Sequence, residues 1–418
     1  MLRPYQIDIA TNAAKLLEWC KIAYLSMEVR TGKTLTALAT ARNYGATNIL
    51  FVTKKKAISS ILDDHAKTEG ESAISVLNYE QLHNYTGTPD IVIIDEAHSL
   101  GAFPKPSERT KRLKEICEGL PIIYLSGTPT PESYSQLYHQ LWVSSFSPFK
   151  EYKTFYKWAA DYVTIGKKYF HGVSINDYSK ANKKKIDDDT KHLFISYTQQ
   201  EAGFKQEVEE EVLTIRMKPS TYFLVEKLRR DKVFIGKNGE EVLADTAVKL
   251  MNKLHQVYSG TVICENGEGI CFDKSKAEFI RDYFRGKKIA IFYKFKSELN
   301  MLQWAYGYDS LTTDPHLFNS SSNKIFVSQI QSGREGINLS SADALVMLNI
   351  DFASVSYQQA RARMQSINRT EPAKVYWVFS EGGIEHKIYA VVKEKQDFTL
   401  SYFTNDRSAT PVKDYQQV

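Results

Sequence analysis

The chain has 418 residues, of which 43% are hydrophobic and 25% charged, and this ordinary globular composition excludes a disordered, collagen-like or disulfide-stapled protein. The 54 basic and 49 acidic residues leave a net charge of +5, which permits nucleic-acid binding without requiring it. The four cysteines form no C-x-x-C pair, no apolar run reaches the roughly 18 residues of a membrane span, and the start shows no apolar signal core. We therefore expect a cytoplasmic protein without membrane partners.

Short apolar runs alternate with amphipathic stretches through the first third of the chain, and the same texture returns near its end. Such strand–helix repetition predicts parallel sheets covered by helices on both faces, so the sequence predicts two α/β lobes. The predicted strands are Ile22–Ser26, Asn48–Thr53, Ile74–Leu77, Asp90–Ile94 and Pro121–Leu125 in the first lobe, and Ile289–Tyr293, Lys324–Ser328, Ala344–Asn349 and Val375–Phe379 in the second.

The middle of the chain is rich in Lys, Tyr and Phe and shows weaker strand alternation. Ser220–Arg230 and Thr246–Tyr258 have helical patterns, and turn signals of the hairpin type occur at 237–239 and 265–267. We expect a first lobe at 1–150, an insertion and connector region at 151–284 that belongs partly to the second lobe, and a second lobe at 285–418.

A phosphate-binding loop is predicted between the first strand and the helix that follows it. In such loops the helix N-terminus holds phosphates, a lysine reaches the β- and γ-phosphates and a hydroxyl holds Mg²⁺. Gly32, Lys33 and Thr34 fit these roles. Because Met27 replaces the usual first glycine, the tripeptide alone leaves a helix N-terminus without ligand equally open. Since arginine does not readily take a positive φ, we expect an ordinary backbone at Arg30, whose side chain either contacts phosphate or nucleic acid or faces solvent.

Two acidic residues follow the fourth predicted strand. Because ligands of open parallel sheets bind at the carboxyl ends of strands, Asp95 is placed to hold Mg²⁺ through water and Glu96 to polarise an attacking water. Alternatively, the two acidic residues only interact with the dipole of a following helix. The G-K-T sequence upstream makes this alternative the weaker one. The next strand ends in Ser126–Pro129, which indicates a coupling loop beside the phosphates.

With these motifs in order, the chain resembles superfamily 2 helicases and, within them, the Snf2-like translocases. Gln6 stands where the family's Q motif reads adenine, and Asp95–His98 spells the DEAH form of motif II. The other matches are motif I at Met27–Thr34, Ia at Ile49–Lys54, Ib at Leu77–Glu80, III at Ser126–Pro129, IV at Lys288–Lys294, V at Ser332–Leu339, the beginning of VI at Gln359–Arg363, and the segment after motif VI at Ser380–Ile388.

The resemblance implies two RecA-like parallel-sheet lobes in tandem, with ATP and Mg²⁺ between them and a helical insertion region along the chain. It assigns catalysis to Lys33, Asp95, Glu96, Gln359 and Arg363; nucleotide binding to Gln6, Arg30, Thr31, Gly32, Lys33, Thr34, Gly336 and Arg363; Mg²⁺ to Thr34 and Asp95; and nucleic-acid contacts to Thr53, Lys54, Asn78, Tyr79, Tyr293, Lys294 and Ser332.

Motif VI departs from the family pattern. Ser366 stands where the family has a second arginine, so Arg363 is the predicted arginine finger, with Arg361 and Arg369 as alternatives. This departure puts the rate of hydrolysis in doubt more than nucleotide binding.

The resemblance implies an ATP-dependent motor on duplex or branched DNA, monomeric, with replication, recombination or repair proteins as further partners. The short length and unusual motifs favour a phage or mobile-element protein in a bacterial cytoplasm. Three alternatives stay open: a strand-separating DNA or RNA helicase, an ATP-gated nucleic-acid-binding module with weak hydrolysis, and the motor subunit of a restriction or defence complex.

Overall fold

The protein is described here from a computed structural model, which places residues 2–68, 72–170, 173–204, 208–236, 239–330, 339, 341–352 and 371–393. Its contacts divide the chain into two compact units that meet in sequence at Gly203 and Phe204. Each unit contains a six-stranded sheet in which every strand pair is parallel. The predicted fold class, two parallel-sheet α/β lobes in tandem, is confirmed.

The sheet of the first unit has the strand order β3-β2-β4-β5-β1-β8. Its central strands are continuous apolar runs because helices cover both faces, and all four residues of β4 are fully buried. Five of its strands match the predicted runs. The strands of this unit are β1 (Ile22–Met27), β2 (Asn48–Thr53), β3 (Ala73–Asn78), β4 (Ile91–Ile94), β5 (Ile122–Leu125), the hairpin pair β6 (Gly166–Phe170) and β7 (Val173–Asp177), and β8 (Phe194–Tyr197).

Some helices of the first unit begin at residues with recognisable capping chemistry. Pro4 opens the first helix, where a missing N–H is tolerated, and Ser107 and Asn182 accept hydrogen bonds from the first turns of two later helices. The helices are α1 (Pro4–Cys20), α2 (Lys33–Asn43), α3 (Ile58–Ala66), α4 (Glu108–Ile116), α5 (Gln136–Trp142), α6 (Phe155–Tyr162) and α7 (Lys183–Thr190), with short 3-10 turns at Lys55–Ala57, Leu82–Asn84, Ala97–Leu100 and Lys191–Leu193.

The sheet of the second unit has the order β15-β16-β14-β17-β18-β9, so its amino-terminal strand lies at one edge beside β18. Both predicted hairpin signals lie between antiparallel strand pairs. The strands are β9 (Val208–Ile215), β10 (Val233–Ile235), β11 (Glu241–Leu243), β12 (Thr261–Ile263), β13 (Gly269–Cys271), β14 (Ile289–Tyr293), β15 (Leu311–Thr312), β16 (Ile325–Gln329), β17 (Ala344–Met347) and β18 (Ala373–Ser380).

The helices of the second unit are α8 (Pro219–Asp231), α9 (Ala247–Tyr258), α10 (Ser275–Tyr283), α11 (Lys296–Tyr306) and α12 (Pro315–Ser320), and residues 385–393 are also helical. Helices α8 and α9 and the two hairpins share a small core of their own, which includes Leu228, Val242 and Val257. The stretch 151–284 thus supplies β8 to the first sheet, β9 to the second, and this small core. Among the residues that the structure places, no helix combines the length and apolar composition that crossing a bilayer requires.

A fully buried ion pair fixes the helix after β18 to the body of the second unit. Lys276 Nζ on α10 lies 2.9 Å from Glu385 Oε1, both side chains are inaccessible to solvent, and the same ammonium donates to the main-chain oxygen of Leu348 at 3.1 Å. Removing one member of such a pair leaves a buried charge without compensation.

We expect Lys276→Met to lower the free energy of unfolding by about 3–5 kcal/mol, as breaking buried pairs does, and Lys276→Met/Glu385→Leu to recover much of that loss. Denaturant unfolding followed by circular dichroism measures both variants. The control is Lys111→Met, which removes the exposed i,i+3 pair with Glu108 and should change stability little. A Lys276→Met protein as stable as the wild type would contradict the assignment.

Two buried histidines are expected to make the free energy of unfolding fall as the pH is lowered. Burial lowers the pKa of His139 to about 4 and that of His255 to about 4, so neither ring takes up a proton near neutrality in the folded chain. The unfolded chain protonates both near its ordinary value of about 6.5, so stability is lost as the pH falls from about 6.5 towards 4. We expect about 2 kcal/mol of loss per histidine between pH 7 and pH 5. Unfolding curves at the two pH values test this. His139→Gln is expected to lose less stability between pH 7 and pH 5 than the wild type, and an equal loss in the two proteins would contradict it.

Candidate nucleotide-binding site

The loop between β1 and α2, where the sequence predicts phosphate binding, has a left-handed backbone at its glycine. Gly32 caps α2 with φ of 83°, and a Cβ at this position would lie 2.3 Å from Gln6 Nε2. The positive φ is what requires glycine, since the neighbouring atom is the end of a side chain that can shift. Thr31 closes the preceding turn by donating from Oγ1 to the main-chain oxygen of Glu28 at 2.7 Å.

Lys33 is the first residue of α2, and its ammonium folds back over the loop. Nζ donates to the main-chain oxygens of Met27 at 3.0 Å and Glu28 at 3.1 Å. The positive charge is thus held at the helix N-terminus, where backbone N–H groups also favour an anion.

The expectation of an ordinary backbone at Arg30 is wrong. Arg30 has φ of 65°, and Glu96 in the DEAH segment has φ of 51°, so both candidate-site loops hold a non-glycine residue in the left-handed region. Thr31 donates its N–H and hydroxyl to Glu28, and Tyr5 donates to Thr31; these contacts fix the loop and outweigh the local preference of arginine. Partial burial lowers the pKa of Arg30 to about 10, so the guanidinium remains charged at neutral pH.

Helix α1 braces one side of the phosphate loop. The hydroxyl of Tyr5 donates to the main-chain oxygen of Thr31 at 2.9 Å, and Gln6 Nε2 donates to that of Gly32 at 3.1 Å. Gln6 Oε1 accepts from the N–H of Arg3 at 2.9 Å, and the side chain is buried. Gln6, the predicted reader of adenine, therefore holds the loop directly.

The other side of the loop is braced by residues that the sequence did not single out. The N–H of Glu28 donates to the main-chain oxygen of Tyr197 at 2.9 Å. Gln199 donates its N–H to Glu28 Oε2 at 2.6 Å and Nε2 to the oxygen of Val29 at 2.9 Å. Tyr197 ends β8, which pairs with β1 far along the chain, so no local motif marks these residues.

Asp95 follows β4 and is held by the end of the neighbouring strand β2 and by the main chain of Glu96. Its N–H donates to the oxygen of Val52 at 2.8 Å, its Oδ2 accepts from Thr53 Oγ1 at 2.8 Å, and its Oδ1 accepts from the N–H of Glu96 at 3.0 Å. Burial, with the charge of Glu96 second, raises the pKa of the Asp95 carboxyl, an effect that Thr53 and Lys33 oppose. A nearby cation therefore favours the ionised form.

Two of the predicted site residues carry oxygen atoms that suit Mg²⁺. The carboxylate of Asp95 and the hydroxyl of Thr34 are hard ligands of the kind that Mg²⁺ takes, and Mg²⁺ commonly completes its shell with water and phosphate oxygens. Within the placed part of the chain, no group of three His, Cys, Asp or Glu side chains is arranged as a metal cluster. A single carboxylate and a hydroxyl fit a nucleotide-bound Mg²⁺.

The third motif lies against the first two. Ser126 Oγ is 3.1 Å from His98 Nδ1 and accepts from the N–H of Thr128 at 3.1 Å, while His98 Nδ1 is 3.3 Å from Glu96 Oε2. A Cβ at Gly127 would lie 3.3 Å from the main-chain oxygen of Met27 and 3.7 Å from Lys33 Nζ. The structure thus brings motifs I, II and III together at one edge of the first sheet.

The predicted nucleic-acid residues of the first unit divide into inner and outer positions. Thr53, Asn78 and Tyr79 are buried, with 0%, 5% and 4% of their surfaces exposed, while Lys54 is half-buried. Thr53 contacts Asp95, and Tyr79 donates its hydroxyl to the main-chain oxygen of Asp95 at 2.5 Å. Asn78 Oδ1 accepts from the N–H of Gln81 at 2.9 Å, which closes the turn after β3.

In the second unit, Lys294 follows β14, and its Nζ lies 2.6 Å from Asp351 Oδ1. Its N–H donates to Glu298 Oε2 at 2.7 Å, and Tyr293 is buried at the end of the strand. The remaining predicted residues lie outside the described part of the chain: Ser332, Gly336, Gln359, Arg361, Arg363, Ser366 and Arg369.

Among curated proteins, the sequence is similar to SWI/SNF-related regulators of chromatin. A SWI/SNF-related matrix-associated actin-dependent regulator of chromatin subfamily A-like protein 1 from Drosophila melanogaster is 23% identical over 386 residues, which are 86% of this chain and 48% of that protein. The subfamily A containing DEAD/H box 1 homolog from the same organism is 26% identical over 192 residues, 40% of this chain and 22% of that protein. The resemblance to Snf2-like proteins of superfamily 2 is confirmed. The Snf2-like chain spans less than half the length of either relative.

No family model matches the sequence. A solved structure of the Sulfolobus solfataricus SWI2/SNF2 ATPase core in complex with dsDNA aligns over 97% of this Snf2-like chain and 93% of that chain, with 18% sequence identity and a TM-score of 0.43.

Proposed function

We propose that this protein is a nucleic-acid-dependent ATP hydrolase that moves along duplex or branched DNA. The observation that carries the proposal is the convergence of Lys33, Asp95 and Gly127 at the carboxyl edge of the first sheet, on three separate loops. Ligands of open parallel sheets bind at this edge, and a lysine, a carboxylate and a close glycine are what a triphosphate with its metal requires.

Each residue has a role that follows from its position. Lys33 contacts the β- and γ-phosphates from the first turn of α2, and Thr34 and Asp95 hold Mg²⁺, which when bound neutralises charge on the phosphate oxygens. Glu96 orients water for attack and takes up its proton, with His98 beside its carboxylate at 3.3 Å. Gln6 and Tyr5 keep the phosphate loop in register with α1.

The DNA contacts are proposed on the segments that follow β2 and β3. Lys54 follows Thr53 at the carboxyl edge, and Lys55 beyond it is exposed. Contacts of lysine and main-chain groups to a phosphate backbone carry no base sequence, so the motor tracks DNA of any sequence. Two relatives are named as regulators of chromatin, which supports duplex DNA as the substrate to test first. We place the motor in replication, recombination or repair.

Displacement of a third strand from a triplex tests movement along duplex DNA without strand separation. We expect ATP-dependent release of the third strand while the duplex stays paired. A forked duplex with one labelled strand is the parallel substrate. Release of the labelled strand without triplex displacement would indicate a strand-separating helicase and not a translocase. The absence of both strand release and DNA-stimulated hydrolysis would contradict the proposed function.

A further inference from the structure

Asp95 is held by one residue at the end of β2 and by one directly after β3. Thr53 at the end of β2 donates from Oγ1 to Oδ2 at 2.8 Å, and Tyr79 directly after β3 donates to the main-chain oxygen at 2.5 Å. The sheet order β3-β2-β4 places these three strand ends side by side, with Thr53 opposite Asn78 in the parallel register. Thr53 and Tyr79 are buried, so neither side chain is placed to meet a nucleic-acid backbone itself.

The residues that follow these two are less buried. Lys54 is half-buried and begins the loop after β2. On β3 the turn after Asn78 is closed twice, because Gln81 donates its N–H to Asn78 Oδ1 at 2.9 Å and accepts from the N–H of Asn78 at 3.3 Å. Glu80 on this turn is exposed. Lys54 continues the extended chain from Thr53, and Glu80 follows Tyr79 in the turn, so a ligand on these two residues pulls on the main chain that carries Thr53 and Tyr79.

The ring of Tyr79 is also fixed along its face. The guanidinium of Arg109 lies 5.4 Å from the ring centroid, and Arg109 Nη2 donates to the main-chain oxygen of Ser99 at 3.0 Å. Ser99 belongs to the 3-10 turn that follows Glu96. Tyr79 therefore contacts the main chain of Asp95 through its hydroxyl and is linked through Arg109 to Ser99, the residue after the DEAH segment.

We propose that Thr53 and Tyr79 are positioning residues that transmit nucleic-acid binding at the loops after β2 and β3 to the carboxylate of Asp95. The inference rests on the proposed function, since it names how DNA and nucleotide at that site influence each other. A coupling between two ligands is reciprocal, so the same contacts make bound nucleotide with Mg²⁺ change the affinity for DNA.

The test measures that coupling at equilibrium, without turnover. A fluorescein-labelled forked duplex is titrated with protein, in Mg²⁺, with and without a non-hydrolysable ATP analogue, and the ratio of the two DNA dissociation constants gives the coupling factor. For the wild type we expect a factor about fivefold or more away from one. Tyr79→Phe and Thr53→Val should each bring the factor to within about twofold of one.

Matched variants separate positioning from folding. Tyr138→Phe removes another buried tyrosine hydroxyl that donates to a main-chain oxygen, that of Tyr152 at 2.8 Å, and should keep the wild-type factor. Thr53→Ser retains a hydroxyl and should keep it as well. A loss of folded protein lowers the active concentration, which active-site titration corrects, so it does not by itself move the ratio.

The outcomes distinguish the inference from the function on which it rests. Wild-type coupling that persists in both Tyr79→Phe and Thr53→Val overturns the inference, as does a wild type that binds DNA and nucleotide independently. A wild type that binds nucleotide but no DNA overturns the proposed function instead. Loss of coupling in the two variants, with Tyr138→Phe and Thr53→Ser unaffected, supports the inference.

Discussion

Lys33→Ala is expected to reduce ATP turnover by about 10²–10³-fold or more, because it removes a preorganised charge aimed at the phosphoryl group that leaves. Lys33 is the first residue of α2, and its ammonium is held over the loop by the main-chain oxygens of Met27 and Glu28, at 3.0 and 3.1 Å. Alanine retains the helix and removes the ammonium together with the aliphatic chain that carries it. Steady-state phosphate release in the presence of DNA measures the effect.

Lys15→Ala is the control for Lys33→Ala, because Lys15 is exposed on α1 in the same unit. It should hydrolyse ATP at the wild-type rate. If Lys33→Ala hydrolyses ATP at a rate close to that of Lys15→Ala, the assignment of this loop to phosphate binding is contradicted, because a lysine that contacts the phosphates is not dispensable for hydrolysis.

Glu96→Gln is expected to bind ATP with nearly wild-type affinity and to hydrolyse it about 10²–10⁴-fold more slowly, the range for loss of a general base. Glutamine keeps the size of the side chain but cannot take up the proton of water. Glutamine differs from glutamate only at the end of the side chain, so we expect the backbone at position 96, with its left-handed φ of 51°, to be little disturbed. Calorimetric titration with ATP and Mg²⁺, alongside single-turnover hydrolysis, separates binding from the chemical step.

Glu108→Gln, at an exposed position that begins α4, is the matched control for Glu96→Gln. It should leave both affinity and rate unchanged. A Glu96→Gln protein that fails to bind nucleotide, while still folded by circular dichroism, would mean that this carboxylate supports the loop and does not act on water.

The buried strands were the part of the fold that the sequence predicted well. β2 and β14 have the bounds expected from their apolar runs, because strands buried on both faces must be continuously hydrophobic. β8 was not predicted, because Phe194–Tyr197 is only half-buried at the edge of its sheet and so has no comparable run. Its partner β1 is distant in sequence, and no local pattern announces such a pairing.

The sequence indicated which residues belong to the candidate site more accurately than which contacts those residues make. Motif spacing indicated Lys33, Asp95 and Glu96, and the structure brings their loops together with Gly127. Motif matching cannot tell which residues of a loop face inward, and Thr53 and Tyr79 prove to contact Asp95. The φ of Arg30 was mispredicted because tertiary hydrogen bonds override a residue's own preference. The arginine finger, monomeric state, cytoplasmic location and phage origin stay predictions.

Steady-state ATP hydrolysis by the wild-type protein, measured alone and with single-stranded, duplex and forked DNA and with RNA, tests the central claim most directly. Stimulation chiefly by duplex or forked DNA is the result expected of a motor whose phosphate site and DNA-contacting loops share the edge of one sheet. ATP binding without hydrolysis in the presence of every nucleic acid would contradict the account, and it would leave a nucleotide-gated binding module in place of the motor.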